Sequence, residues 1–294
     1  MATSNSTNFE LDVTEYIEEA FERCGLEVRT GYDLKTAKRS LNIMLAEWAN
    51  RGLNAWTIEE ITIPLATGVG VYPAGTLTIS VASSTGYTVA ETITGGTSGA
   101  TATVTSVPSA TSLAITIPEG TFSLSETITG GTSSTASTVS AVVDFSNVNS
   151  TIDLLSVVVT RSATDFSVAR LSRDGFFSIP NKATTGRANQ YFIDRLVTPT
   201  LKIWPVPENN TDVIKFTRLT RIQDADTPTN TLEIPFRFYP CLAAGLAYYL
   251  SVKRAPNKVQ LLKTIYEEEF DRAMMEDRDR ASFNITPSYM YFRS

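Results

Sequence analysis

Not one lysine or arginine lies between Arg51 and Arg161, although the chain carries 25 of them in 294 residues. The same stretch contains one octapeptide twice, as Glu91-Thr92-Ile93-Thr94-Gly95-Gly96-Thr97-Ser98 and as Glu126-Thr127-Ile128-Thr129-Gly130-Gly131-Thr132-Ser133, 35 positions apart. Its Thr, Ser, Gly and Val content disfavours helix and suits short strands. The pattern predicts a small all-β module of roughly six short strands, with two equivalent hairpins around a pseudo-symmetric core. Charge supports reading it as an insertion. Seven acids between 52 and 160 hold the whole of the net charge of −6, leaving the flanks near +1.

The flanks therefore read as one host domain, and 42% apolar residues with 10% aromatics supply a core for it. No apolar run reaches the roughly eighteen residues of a membrane span, and Met1 to Phe9 is polar, unlike a secretory signal. Histidine is absent, which removes Ser-His-Asp and Cys-His triads and the usual transition-metal sites. Cys24 and Cys241 lie far apart in apolar helical patterns and read as small core residues. No cluster of cations is large enough for tight, sequence-independent DNA binding, so a DNA met by this chain would slide past it.

Helix is expected first from Asp12, in capping-box spacing with Glu15, to Gly25, and then from Asp33 as cap to Gly52. Alternation at Trp56, Ile58, Ile61 and Ile63 predicts a strand limited by Pro64. Further strands are expected over 154–160, 191–195, 201–204 and 213–219, returning the chain to the host sheet. Helical period resumes at Pro240, breaks at Pro256 and continues past Met274. The whole reads as α+β: a helical host domain with a small β-sheet region, interrupted by an inserted all-β module. Its parts are 1–75 (first host part), 76–145 (insert), 146–281 (second host part) and 282–294. This last segment carries Tyr289, Met290, Tyr291 and Phe292 and reads as a docking tail, because disordered tails are poor in aromatics.

Candidate chemistry is sparse. Gly95-Gly96-Thr97-Ser98-Gly99 lacks the lysine and helix of a nucleotide loop and reads as a hairpin turn. Acid pairs for glycoside cleavage exist in Glu59, Glu60 and Glu267 to Glu269, but adjacent acids on a helix are normally a solvated face. Asp277 and Asp279 alternate with Arg278 and Arg280 and suit salt bridges better than a cation. No catalytic residue, metal ligand or cofactor is expected. Between Leu171 and Pro207, Arg173, Lys182, Arg187, Arg195 and Trp204 join Phe176, Phe177, Tyr191 and Phe192; the stretch reads either as a loop-rich sheet region with ordinary packing or as an intersubunit or tail contact, where arginine and aromatics concentrate.

Three segments carry a family likeness: Leu41 to Trp56, Leu171 to Pro207 with Ser-Arg-Asp, Ile-Pro-Asn-Lys and Trp-Pro-Val-Pro, and Ile234 to Pro256 followed by Glu276 to Ser282. Together they resemble the head-to-tail adaptors (connectors) of short-tailed double-stranded DNA phages, the packaged-DNA stabilisation group. The resemblance covers about three quarters of the chain and leaves out the insert. It implies a structural virion protein at the head-tail junction, made in the host cytoplasm, without enzymatic activity and without membrane contact. By that resemblance, a ring of about twelve subunits binds the portal protein above and the tail nozzle or tail hub below, and extends a channel for DNA. Residues Tyr289, Met290, Tyr291 and Phe292 would dock on the portal. Two other readings remain: a virion-borne peptidoglycan hydrolase using the acids of 267–269, and a carbohydrate-binding virion protein using the insert, whose only aromatics between 76 and 144 are Tyr87 and Phe122.

Overall fold

A computed structural model describes residues 6, 9–52, 55–141 and 143–277. The chain forms two compact units, Met1–Trp56 with Ile222–Ser294, and Thr57–Arg221. In the first, helix α1 (Val13–Cys24) starts at the expected capping box, Asp12 accepting from the Glu15 amide and Glu15 from the Asp12 amide, and stops at Gly25 with φ 72°. Helix α2 (Gly31–Arg51) begins earlier than expected. Its cap is Thr30, whose hydroxyl accepts from the Asp33 amide and donates to the Asp33 carboxylate, so Asp33 sits inside the first turn. That bond from Thr30 is the main reason the Asp33 carboxyl titrates below its ordinary range.

In the second unit, β1 (Ile58–Pro64) and β2 (Val71–Pro73) precede six strands: β3 (Thr78–Val81), β4 (Thr92–Gly95), β5 (Thr101–Ser109), β6 (Ser112–Ile115), β7 (Thr127–Gly130) and β8 (Ala136–Ala141). These six close into a barrel in the order β3-β6-β5-β4-β7-β8, so neither edge is left open. The octapeptides are β4 and β7 with their turns, and they pair antiparallel about Thr94 and Thr129. That register relates the two halves by a dyad, and where β3 pairs β6 the axis falls between Thr78–Ala114 and Ile79–Leu113.

The repeat's composition follows from what each copy gives the other. Glu91, almost fully buried, accepts from the Thr132 and Ser133 amides and the Ser133 hydroxyl of the second loop. Glu126 accepts from the Thr97 and Ser98 amides and the Ser98 hydroxyl of the first. Each carboxylate also accepts from the amide three residues before it, Thr88 or Ser123. Burial works to raise both carboxyls, but these bonds outweigh it and hold them below the ordinary 4.5. Gly95 and Gly130 are required where the acids approach: a Cβ there would stand 2.7 Å from Glu126 Oε2 and 2.4 Å from Glu91 Oε2. Ile93, Ile128, Val104, Val139, Ile79 and Ile115 fill the interior.

After the barrel come α3 (Ser146–Asn149), β9 (Thr151–Arg161), β10 (Thr164–Ser167), β11 (Ala169–Arg170), α4 (Arg173–Phe177), β12 (Gln190–Asp194), β13 (Thr200–Trp204) and β14 (Val213–Thr220). They do not return to one small sheet. Strands β1-β14-β9-β10 form one four-stranded sheet and β11-β12-β13-β2 another, and Ile63, Tyr72, Leu154, Val159, Ile193, Leu201 and Phe216 from the two share one core. The expected helical host domain with a small β-sheet region is thus overturned: the described structure sets fourteen strands, in three sheets counting the barrel, against six α-helices, and is 32% helical. The reason is that alternate apolar residues fix a strand's buried face but not its partner. Six return strands, joined by β1 and β2, bury those faces against each other.

Barrel entry and exit are clamped by one side chain. Arg218 of β14 is 1% exposed, with Nη2 at 2.7 Å from Glu59 of β1 and Nη1 at 2.7 Å from the Asn147 carbonyl and 2.8 Å from the Thr151 hydroxyl. The Asn147 side chain in turn accepts from the Thr76 amide. Gly75 lies so near that a Cβ would come within 2.5 Å of Arg218 Nη1.

The first unit is completed by α5 (Tyr239–Arg254) and α6 (Val259–Glu276). Helix α5 is buried on most sides, from Cys241 to Leu250, and burial pushes the Cys241 thiol well up. Helix α6 buries the stripe Leu262, Tyr266, Phe270 and Ala273. Trp48 is fully buried and donates to the Tyr266 hydroxyl at 2.8 Å. Arg51 lies over the Tyr266 and Phe270 rings and forms a two-pronged bond with Glu267 at 2.6 and 2.9 Å.

Two outcomes are expected. A Cβ at Gly245 would meet Met44 Sδ at 2.5 Å and Tyr266 Cε2 at 2.7 Å, so Gly245→Ala should destabilise the helical unit by about 2 kcal/mol, read from urea unfolding. Because the barrel glutamates are depressed when folded, their contribution is complete above about pH 4.5 and fades as pH falls through the lower folded value. In the full chain, hydrogen exchange in β4 and β7, expressed relative to intrinsic rates, should therefore lose protection on acidification. Glu91→Gln with Glu126→Gln should raise exchange there roughly tenfold at pH 7 and flatten that acid dependence.

Candidate functional site

The most individual surface of the second unit is the side of β12 and β13 that faces away from their shared core. Along β12, Tyr191 and Ile193 point into the core, so Phe192 and Asp194 take the other face, and the pairing sets Lys202 opposite Phe192. Helix α4 lies on that face. Ser172 caps it, accepting from the Gly175 amide, and the Phe176 ring stacks on Phe192 at 5.6 Å while Phe177 meets both edge-on.

Charge is layered onto this aromatic group. Asp194 is buried and takes Arg173 at 2.6 Å on one oxygen and Lys202 at 3.2 Å on the other. Arg173 lies over the Phe192 ring, and Lys202 lies near both Phe192 and Phe177. Lys182 spans the end of α4, donating to the Phe177 and Ile179 carbonyls. Arg195 shares Asp153 with Arg170, at 3.1 and 2.9 Å. Phe177, Leu196 and Val197 remain exposed, Val197 at 89%.

Of the residues singled out from sequence, Arg173, Lys182 and Arg195 thus belong to this face. Trp204 is half-buried in β13 and donates to the Asn181 carbonyl at 3.0 Å, anchoring the loop after α4. Arg187 goes elsewhere and stacks on Phe166 of β10 at 3.7 Å. Sequence reading passed over Arg170, Lys202, Asp153 and Asp194. Period-two alternation through 190–194 and 200–204 was the signal for Asp194 and Lys202; nothing local marks Asp153, which reaches the site from β9. Tyr289, Met290, Tyr291 and Phe292 lie outside the described residues, as does Asp279.

Of the acids weighed for glycoside cleavage, Glu59, Glu267 and Glu269 are engaged in other ways. Glu267 is held below the ordinary carboxylate range by its bond to Arg51, Glu269 pairs with Arg272, and Glu59 pairs with Arg218. Asp277 bonds to Arg237. Tyr87 and Phe122, at equivalent positions of the barrel halves, are 7% and 2% exposed, so neither ring is free to stack on a sugar. Among the described residues no cluster of three or more Cys, Asp or Glu is placed to hold a metal ion, and no helix is long and apolar enough to cross a membrane. No family model matches this chain, and no curated protein does.

Asp194 is the buried member of the network. Asp194→Asn removes the charge that Arg173 and Lys202 share and should cost about 2 kcal/mol. The readout is the Trp204 contribution to fluorescence-detected unfolding, and a change near zero would mean that the pairing is only a surface one.

Proposed function

We propose that this chain is a structural virion protein, a head-to-tail adaptor that assembles as a ring between portal and tail nozzle or hub and extends the DNA channel. The reading rests first on the resemblance carried by 41–56, 171–207 and 234–256. The structural observation that supports it is the face built by the second of these segments, where exposed Phe177, Leu196 and Val197 stand beside paired cations. A closed ring needs two different complementary faces per subunit, and a mixed apolar and cationic face is suited to one of them. The barrel adds a second support: β3 to β8 and the turns between them carry no lysine or arginine, and a surface without them does not hold a phosphate backbone, which suits a conduit. In this reading DNA passes without sequence-specific contact, and the segment 282–294 reaches the portal.

The test is light scattering on a sizing column for the full chain, alone and mixed with the portal of its phage. A stoichiometric ring complex of about twelve subunits is expected. It should be lost on deleting 282–294, and weakened at least tenfold by Phe177→Glu with Val197→Glu. Absence of any complex with the intact chain would overturn the adaptor reading.

A further inference from the structure

Beside the aromatic face lies an open polar pocket of about 300 Å³, lined by Arg170, Leu171, Ser172, Arg173, Phe192, Ile193 and Arg195. Three guanidinium groups thus line one depression, and their side chains are 43%, 61% and 57% exposed. Their local counter-charges do not balance them. Asp153 serves both Arg170, which reaches both of its oxygens, and Arg195, and Asp194 serves both Arg173 and Lys202. Four cations therefore share two carboxylates. Elsewhere in the unit Arg161 has both Asp212 and Glu208, Arg218 has Glu59 and Lys215 has Asp165, while Lys182 meets carbonyls and Arg187 a ring.

We propose that Arg170, Arg173 and Arg195 form a binding site for a phosphate-type oxyanion. A carboxylate offers two oxygens in one plane, which a single guanidinium fork matches. A tetrahedral phosphate presents three or more acceptors in different directions, which several forks around one pocket can meet together. Arg173 spends one nitrogen on Asp194 and Arg195 one on Asp153, so each keeps donors for a ligand. The Phe192 ring lies beneath Arg173 and forms one wall of the pocket. A free phosphate ion and the phosphate of a nucleic-acid backbone present the same chemistry to the pocket. The site stands independently of the adaptor reading, since phosphate binding and portal binding are separate measurements.

The test is calorimetric titration of the full chain with inorganic phosphate at fixed ionic strength. One site per chain is expected, with a dissociation constant of about 1 mM or tighter. Arg173→Lys and Arg195→Lys keep the charge and the ion pairs but lose the fork, and each should weaken binding roughly tenfold with unchanged circular dichroism. Lys215→Gln, which removes a cation outside the pocket, should leave binding as it is. A short DNA duplex that competes with phosphate identifies the backbone as the source; a duplex that does not compete identifies a free or terminal phosphate, and either supports the site. Absence of saturable binding, or binding insensitive to both lysine variants, would overturn it. A portal complex formed by a chain that binds no phosphate would remove this site and leave the adaptor reading standing.

Discussion

Arg218 is the side chain on which the second unit turns. Putting a guanidinium out of water costs several kcal/mol unless its donors are met. Here they are met from three places in sequence: Glu59 on β1, the Asn147 carbonyl and the Thr151 hydroxyl. Since Asn147 also holds the Thr76 amide, the two points where the chain leaves and re-enters the sheet are fixed to one charge. The barrel could vary in sequence without disturbing the sheets, provided that Gly75 and Asn147 stay. A cation buried at that junction has no alternative partner, so the register of β14 against β1 and β9 is set as well.

Much of the local structure was legible. The Asp12 box, the Gly25 stop and the break at Pro256 rest on interactions within a few residues of each other, and the strands near 154–160 and 213–219 announce themselves by local alternation although they pair with each other from afar. Thr30 in place of Asp33 as the cap of α2 shows the limit of such reading: both types cap helices, and only the start of the turn decides. The division into two sheets was not legible, because Leu154, Ile193 and Phe216 each announce a buried face and none announces its partner. Gly95 and Gly130 read as turn glycines. Their actual constraint is a carboxylate from the other copy of the repeat, whose nearest hydrogen bonds span 28 to 42 residues.

The same distinction runs through the candidate site. Its cation-rich, aromatic character was visible between 171 and 207, but membership was not. Arg187 belongs to Phe166, while Arg170 and Lys202 come in through strand pairing, and Asp153 arrives from a different sheet. Composition locates such a surface; geometry decides which charges are already spent on neighbours and which keep donors to offer. That difference separates a contact face rich in arginine from a pocket able to take an anion.

The barrel's dyad has one more consequence. Two copies of a self-complementary surface meeting about a two-fold axis describe an isologous homodimer, yet here both copies lie on one chain and are joined by the β5–β6 hairpin. The tether makes association intramolecular, at an effective concentration of order millimolar or above, so closure does not depend on how much protein is present. Neither half can satisfy its own loop amides, because each loop is filled by the acid of the other. The module is therefore a dimer in its chemistry and a monomer in its mass action.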